Sequence, residues 1–258
     1  MVSGGDVRSV GPPVRLQTHV WNPGGAWRAL LIHGLCSDGV CWWREASRLA
    51  AAGWLVLAPD LRGHGRSPTA DRFDLPTLAA DVTALGSGWE LVIGHSLGGA
   101  IAAELLAVDP DIGAAVLVDP VLQLAAGDRD RIRAQLGAEA GGMEASAVRA
   151  AHPSWDERDV WRKVLATRAV TPDVVDAVLG DNDPWDLVAG VRHWRARVHL
   201  LAADPARGGV LDPGLADRLA DGRRVTAELV ADAGHSIHRE RPDVVAAAVD
   251  RVLRDHRD

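Results

Sequence analysis

Residues 90–103, ELVIGHSLGGAIAA, decide the fold of this chain. A short apolar run leads through a glycine-flanked turn into an alanine-rich run, which predicts a strand, a tight turn and a helix. A serine at the tip of such a turn has strained backbone, so the positions two before and two after it must be small, as Gly94 and Gly98 are. The helix start would present free N–H groups beside the hydroxyl. The pattern therefore predicts a nucleophilic serine at Ser96.

A second apolar run, LLIHGL at residues 30–35, ends in a His-Gly pair. A tetrahedral intermediate at Ser96 would need two backbone donors for its oxygen, one from the next residue and one from the end of an earlier strand. We predict that the amides of Leu97 and Leu35 supply them. Only the N–H groups are used, so the identity of these two side chains matters little.

A third stretch, AGHSIHRERP at residues 233–242, follows the strand-like residues 225–230. A serine hydroxyl is a weak nucleophile and needs a histidine within hydrogen-bond reach to take its proton. His235 is the preferred base, because side chains on this loop can converge at the carboxyl edge of a sheet. His238 is the rival, although it is expected to face the start of the next helix. Three further histidines lie beside their own turns and are expected to form local hydrogen bonds: His33, His64 and His95.

These motifs, with DLRGHGRS at residues 60–67, resemble the α/β-hydrolase superfamily from about residue 14 to about residue 253. The order of Ser96, an acid and His235 agrees with the order of triad residues in that family. The resemblance implies hydrolysis of an ester, lactone, thioester or amide, with neither a metal nor an organic cofactor. It disfavours dehalogenase and epoxide-hydrolase chemistry, because those relatives have an Asp where this chain has Ser96.

The acid is where the chain departs from the common family pattern. Most relatives have an Asp shortly after a strand-ending Gly, whereas here the apolar run at residues 198–203 leads directly into Asp204. Asp204 is the preferred partner of the histidine. Some relatives carry the acid after the preceding strand, where this chain has Asp119, although Asp119-Pro120 also fits a plain strand-ending turn. Asp212 is a third candidate.

Composition narrows the functional class. The chain has 258 residues, 47% hydrophobic content and a net charge of −7, from 28 basic and 35 acidic residues. It has no basic stripe and no apolar run long enough to span a bilayer, so we expect a small-molecule substrate and neither nucleic acid nor membrane as partner. Residues 1–13 lack an apolar signal region, which predicts a cytoplasmic protein. We expect either a monomer or a homodimer. Cys36 and Cys41 are expected to be thiols near the oxyanion loop.

Strand and helix patterns alternate, which predicts an α/β fold with a mostly parallel sheet flanked by helices. Between residues 121 and 194 we find no strand pattern, and four short helical runs indicate an inserted helical cap. We therefore predict a hydrolase core of residues 1–120 and 195–258, and a cap of residues 121–194. The predicted strands are 14–20, 27–32, 54–59, 90–94, 114–118, 198–202 and 225–230, and the predicted cap helices are 129–136, 146–151, 157–166 and 172–179.

Tryptophan is unusually frequent, with ten residues against one Phe and no Tyr. Rigid aromatic side chains in a cap can line an apolar pocket, although a single Trp more often packs helices onto the core. We predict a serine hydrolase that cleaves an ester, lactone or related acyl bond of a small apolar or aromatic substrate through an acyl-enzyme. The alternatives are a cofactor-free perhydrolase or lyase, and a slow-turnover ligand receptor. The predicted pocket residues are His33, Gly34, Trp155, Trp161 and Trp185.

Overall fold

A computed structural model describes residues 10–254. Its centre is a seven-stranded sheet in the order β1-β3-β2-β4-β5-β8-β9. β1 pairs antiparallel with β3, and the other neighbouring strands pair in parallel. The strands of this sheet are β1 (Thr18–Trp21), β2 (Trp27–Ile32), β3 (Trp54–Pro59), β4 (Leu91–His95), β5 (Ala114–Val118), β8 (Arg197–Ala203) and β9 (Val225–Val230). The predicted α/β fold is confirmed.

Helices cover both faces of the sheet, because alternate residues of the central strands point to opposite sides. Along β4, Val92 belongs to the apolar core on one face, while Leu91 and Ile93 belong to the core on the other. The first core includes residues of α2 and α3, and the second includes residues of α1 and α10. The helices are α1 (Trp43–Ala51), α2 (Leu75–Thr83), α3 (Leu97–Val108), α4 (Ala126–Glu139), α5 (Ala145–Ala151), α6 (Glu157–Arg168), α7 (Pro172–Asp181), α8 (Pro213–Leu219), α9 (Ile237–Glu240) and α10 (Pro242–Arg254).

The segment between β5 and β8 contains α4 to α7, as expected from its helical pattern. The expectation that it has no strand is wrong. Two short strands, β6 (Gln123–Leu124) and β7 (Trp185–Asp186), pair antiparallel with each other. Strands of two residues are too short to show an alternating pattern, which is why the sequence gives no sign of them. This pair joins the two ends of the segment.

The other differences concern the ends of helices and strands; α4, for example, extends over Ala126–Glu139 rather than residues 129–136. β1 begins at Thr18 rather than at residue 14, and β4 extends to His95, directly before the serine turn. Over residues 10–254, no helix combines the length and the apolar character that crossing a bilayer would require. The predicted absence of a signal region concerns residues 1–13, most of which lie outside the described part of the chain.

Candidate active site

The turn between β4 and α3 has the strained geometry that its sequence predicts. Ser96 has φ 55° and ψ −117°, an uncommon conformation for a residue with a side chain. A Cβ at Gly94 would lie 2.4 Å from the carbonyl oxygen of Gly98, and one at Gly98 would lie 2.2 Å from that of Ile32. Both positions therefore require glycine. The Ser96 amide donates to the Val118 carbonyl at 3.1 Å, which ties the turn to β5.

The loop after β2 packs directly on this turn. A Cβ at Gly34 would lie 3.0 Å from the Cβ of Ser96. Leu35 follows Gly34 and lines the same cavity as Ser96, while Leu97 is the first residue of α3. Among residues 10–254, the amides of Leu35 and Leu97 have no hydrogen-bond acceptor. Both N–H groups are therefore available to an oxygen bound beside Ser96.

His235 lies on the loop after β9 and lines the same cavity as Ser96. Its Nδ1 is 2.6 Å from Oδ2 of Asp119, which lies directly after β5. Asp119 is fully buried and has a positive φ of 44°. Its carboxylate also accepts backbone N–H groups from Ala203, Val210 and Leu211 at 2.9–3.1 Å. These donors satisfy a charge that burial alone would make costly. Because His235 Nδ1 is engaged with Asp119, His235 Nε2 is the ring nitrogen that can accept a proton.

The preference for Asp204 as the partner of His235 needs correction. The Asp204 carboxylate accepts from the amides of Ala206 and Asp232, at 2.9 and 3.2 Å, and so holds its own turn. The loop that follows supplies the Val210 and Leu211 amides to Asp119 instead of an acid to His235.

The other two alternatives also have local roles. Asp212 caps α8 by accepting the amides of Gly214 and Leu215. His238 is buried between the rings of Trp42 and His95, at centroid distances of 4.8 and 4.5 Å. Burial holds the pKa of His238 well below its usual range, with a further contribution from the charge of Arg239. His238 is therefore a neutral packing residue.

His33 and Gly34 do not line the cavity that contains Ser96, contrary to the predicted pocket. His33 is fully buried, and its Nε2 accepts the Leu61 amide at 2.9 Å, so its Nδ1 must donate to the Gly34 carbonyl at 2.8 Å. Burial lowers the pKa of His33 to about 4 and that of His64 to about 3. The neutral His33 ring thus fixes the loop that carries Leu35.

The cavity above Ser96 has two lobes that share Ser96 and His235. The polar lobe has a volume of about 350 Å³ and the apolar lobe one of about 100 Å³. The apolar lobe is narrow and is lined mainly by side chains of the segment between β5 and β8, including Leu124, Ile132 and Val178. The polar lobe is lined by charged side chains from α4, α6, α9 and the loop after β8: Arg131, Glu139, Lys163, Arg207, Arg239 and Glu240.

The tryptophans predicted to form the pocket separate into two groups. Trp155 lines the polar lobe and Trp185 the apolar lobe, and both are buried. The expectation for Trp161 is wrong, because its side chain lies on the surface of α6, 48% exposed, within 5.8 Å of the Arg149 guanidinium. Trp194 is buried and donates its indole N–H to the Ala103 carbonyl at 3.2 Å. It packs the end of the segment between β5 and β8 onto α3.

The two thiols are buried near the loop that follows β2. Cys36 directly follows Leu35, and Cys41 lies in the next turn of the chain. Burial raises the pKa of Cys36 to about 11 and that of Cys41 to about 12. Both are therefore protonated at neutral pH and unsuited to act as nucleophiles.

Sequence reasoning missed Arg239, which lines the polar lobe and is only 6% exposed. Its position four residues after His235 could have indicated a place near the site, but the charged run HRER at residues 238–241 is typical of a solvent-exposed stretch. Two larger, open depressions of about 760 and 850 Å³ lie around Pro110 and Arg195, at the amino edge of the parallel strands. They contain none of the predicted site residues.

The fold and this constellation define an α/β hydrolase. The sequence profile of the alpha/beta hydrolase family matches residues 29–248, and the chain belongs to that family. It is 32% identical to the lipase LipV of Mycobacterium tuberculosis over 92% of this chain and 97% of that protein. It is 33% identical to epoxide hydrolase A of the same organism, over 42% of this chain and 37% of that protein.

Solved structures agree with the fold. An esterase from Exiguobacterium antarcticum superimposes with a TM-score of 0.73 and 16% identity, over 92% of this chain and 96% of that one. At that identity the likeness shows the fold alone. Together with the family match, the relatives named lipase and esterase identify the chain as a hydrolase.

Proposed function

We propose that the chain is a serine hydrolase that cleaves an ester, lactone or related acyl bond through an acyl-enzyme. Ser96 Oγ attacks the carbonyl carbon while His235 Nε2 accepts the hydroxyl proton. The carbonyl oxygen becomes an oxyanion and binds the amides of Leu35 and Leu97. Asp119 holds the imidazole in one tautomer and stabilises the imidazolium.

The remaining steps balance the protons. His235 returns its proton to the leaving alkoxide, which departs as an alcohol and leaves an ester on Ser96. Water then attacks that ester while His235 accepts a proton from the water. Collapse of the second intermediate releases the carboxylic acid and returns the proton to Ser96 Oγ. We further propose that residues 121–194 act as a cap that contributes the apolar lobe.

The observation that carries this proposal is the convergence of three strand ends. Ser96 after β4, Asp119 after β5 and His235 after β9 meet at one edge of the sheet, with the last two 2.6 Å apart. Epoxide hydrolases of this family have an aspartate at the position of Ser96, so the serine favours acyl transfer over epoxide opening in this chain. A slow-turnover receptor would keep the same residues, so kinetics must separate it from an enzyme.

The test is covalent labelling of the intact protein with a fluorophosphonate, followed by mass spectrometry. We expect one label, on Ser96, and its loss in Ser96→Ala. Ser154→Ala is the matched control, because Ser154 lines the same polar lobe and should leave the label in place. A label on another residue would exclude Ser96 as the nucleophile. A pre-steady-state burst without appreciable turnover would favour a receptor.

A further inference from the structure

Arg239 is a buried cation for which the described residues offer no anionic partner. Its side chain lines the polar lobe, donates Nη2 to Ser37 Oγ at 3.3 Å, and lies 4.6 Å from the ring of Trp155. Among residues 10–254, no Asp or Glu forms an ion pair with it, and its buried Nε has no acceptor. A buried charge left in this state is expensive unless a ligand compensates it.

The other cations of the polar lobe differ in this respect. Lys163 is paired with Glu139 at 2.6 Å, and Arg207 with Glu240 at 3.9 Å. Arg131 reaches an aspartate on its own helix at 3.4 Å. Each of these charges has a carboxylate of the protein within reach. The uncompensated charge of the lobe is therefore that of Arg239.

A second unpartnered donor lies beside it. Trp155 is 8% exposed, stacks on His152 at a ring distance of 3.8 Å, and has a buried indole N–H with no acceptor in the part of the chain that the structure describes. The neighbouring His238 and His152 both have pKa values lowered by burial, so they add no positive charge at neutral pH. The guanidinium charge and the two unpartnered N–H groups, Arg239 Nε and Trp155 Nε1, match a group that has oxygen acceptors and a single negative charge.

We propose that the substrate carries a carboxylate, which Arg239 and Trp155 bind in the polar lobe while the acyl bond lies at Ser96. This inference rests on the proposed serine hydrolase activity. The apolar lobe, at about 100 Å³, then takes a small apolar group on the other side of the scissile bond. The substrate class is a monoester or related mono-acyl derivative of a short dicarboxylic acid. A planar carboxylate fits two donors, whereas a phosphate would leave further oxygens unsatisfied.

The first experiment compares charged and neutral esters of the same chain length. Monomethyl and dimethyl esters of succinate, glutarate and adipate are hydrolysed by wild type, Arg239→Gln and Arg239→Lys in a pH-stat, and kcat/KM is measured for each. The quantity of interest is the ratio of the monomethyl to the dimethyl value. We expect Arg239→Gln to lower this ratio by about tenfold or more, and Arg239→Lys to restore part of it.

The matched control is Arg241→Gln, which removes the same charge two residues further on. Arg241 is exposed and paired with Asp243 at 3.0 Å, and it does not line the cavity. It should leave the ratio unchanged. Because Arg239 is buried, the preference of the wild type should also persist at about 0.5 M salt, whereas long-range attraction by surface charges would be screened. A ratio unchanged within about twofold in folded Arg239→Gln overturns the inference.

A binding measurement separates this inference from the proposed function. Ser96→Ala protein is titrated with glutarate and with the neutral glutaramide by calorimetry, with and without Arg239→Gln or, if that variant is unfolded, Arg239→Met. Binding of glutarate that is lost with Arg239 supports the carboxylate site even if no ester is cleaved. Ester cleavage at Ser96 without selective binding of glutarate supports the hydrolase and rejects the carboxylate site. Equal binding of both compounds also rejects it.

Discussion

Two turns of this molecule begin with the same dipeptide and end in different roles. Asp119-Pro120 follows β5 and Asp204-Pro205 follows β8, and these strands are neighbours that run in parallel. Asp119 has φ 44°, is fully buried and contacts His235, whereas Asp204 has φ −63° and caps its own turn. Sequence and strand position are therefore not enough to tell them apart.

The difference lies in what surrounds each carboxylate. Asp119 accepts three backbone amides, all from β8 or from the loop that follows it, in addition to the bond with His235. The loop that begins at Asp204 folds over Asp119 and encloses it. The comparison teaches that a loop can select the carboxylate that contacts His235 by supplying donors to it, rather than by containing it.

The largest expected effect tests the histidine that Asp119 contacts. His235→Ala should reduce kcat by about 10⁶, because loss of the histidine alone costs nearly as much as loss of the whole triad. His238→Phe should retain activity within a few-fold, since the His238 ring packs on Trp42 and His95 and neither of its nitrogens has a hydrogen-bond partner within residues 10–254. Steady-state kinetics on one chromogenic ester, with circular dichroism as a control for folding, would measure both. If His238→Phe were inactive and His235→Ala active, His235 would not be the base, and its contact with Asp119 would have no catalytic meaning.

The next effect tests the two aspartates directly with the same substitution. Asp119→Asn should reduce kcat by about 10⁴, the loss found when a triad carboxylate no longer holds its histidine. Asp204→Asn should stay within a few-fold, because an Asn side-chain oxygen can still accept the Ala206 amide. Activity is to be normalised to the folded fraction from urea titrations, since the Asp119→Asn substitution would turn a side-chain NH₂ group towards backbone donors.

Two outcomes of that measurement would change the assignment. If Asp204→Asn is the inactive variant, the enzyme acts in a conformation in which the loop after β8 has moved. If both variants lose activity equally at full folding, both carboxylates act on His235.

The pH dependence of stability limits the range over which these variants can be compared, because several histidines are buried in the neutral form. Burial lowers the pKa of His33 to about 4, that of His64 to about 3, and those of His95 and His238 well below the usual range. Below the unfolded-state pKa of about 6.5, the unfolded chain binds protons that the folded chain does not. The free energy of unfolding should therefore fall as pH decreases from about 6.5 towards 4.

The size of this effect is about 1.4 kcal/mol per pH unit for each histidine at most. Urea unfolding at several pH values would measure it. His238→Phe should reduce the slope by up to this amount, whereas the exposed His193, substituted by Gln, should leave the slope unchanged. A stability that does not vary between pH 7 and 5 would contradict the buried, neutral state of these rings.

Most of the fold could be predicted from the sequence, because the buried parallel strands are short apolar runs bounded by turn residues. The runs at 27–32, 54–59 and 114–118 match the observed strands. The serine turn was equally visible, since its two glycines are required by backbone contacts within a few residues of chain and with the end of β2.

The carboxylate that contacts His235 and the lining of the cavity could not be predicted, for physical reasons. Asp119 and His235 are 116 residues apart, and only the fold of the loop after β8 distinguishes Asp119 from Asp204. Trp155 and Trp161 lie six residues apart near the start of α6, yet one is 8% and the other 48% exposed. The largely polar sequence of α6 does not specify which of them faces the cavity.

The backbone contacts that hold Ser96 in place affect which substitutions around the cavity this hydrolase can accept. The atoms that would clash with a Cβ at Gly94 or Gly98 are backbone atoms, of Gly98 and Ile32 among others. The position of Ser96, the proposed nucleophile, is therefore set mainly by backbone contacts rather than by the side chains that surround the cavity. Leu124, Ile132 and Val178 line the apolar lobe. We therefore expect substitutions there that keep the core packed to change substrate selectivity while Ser96 keeps its position.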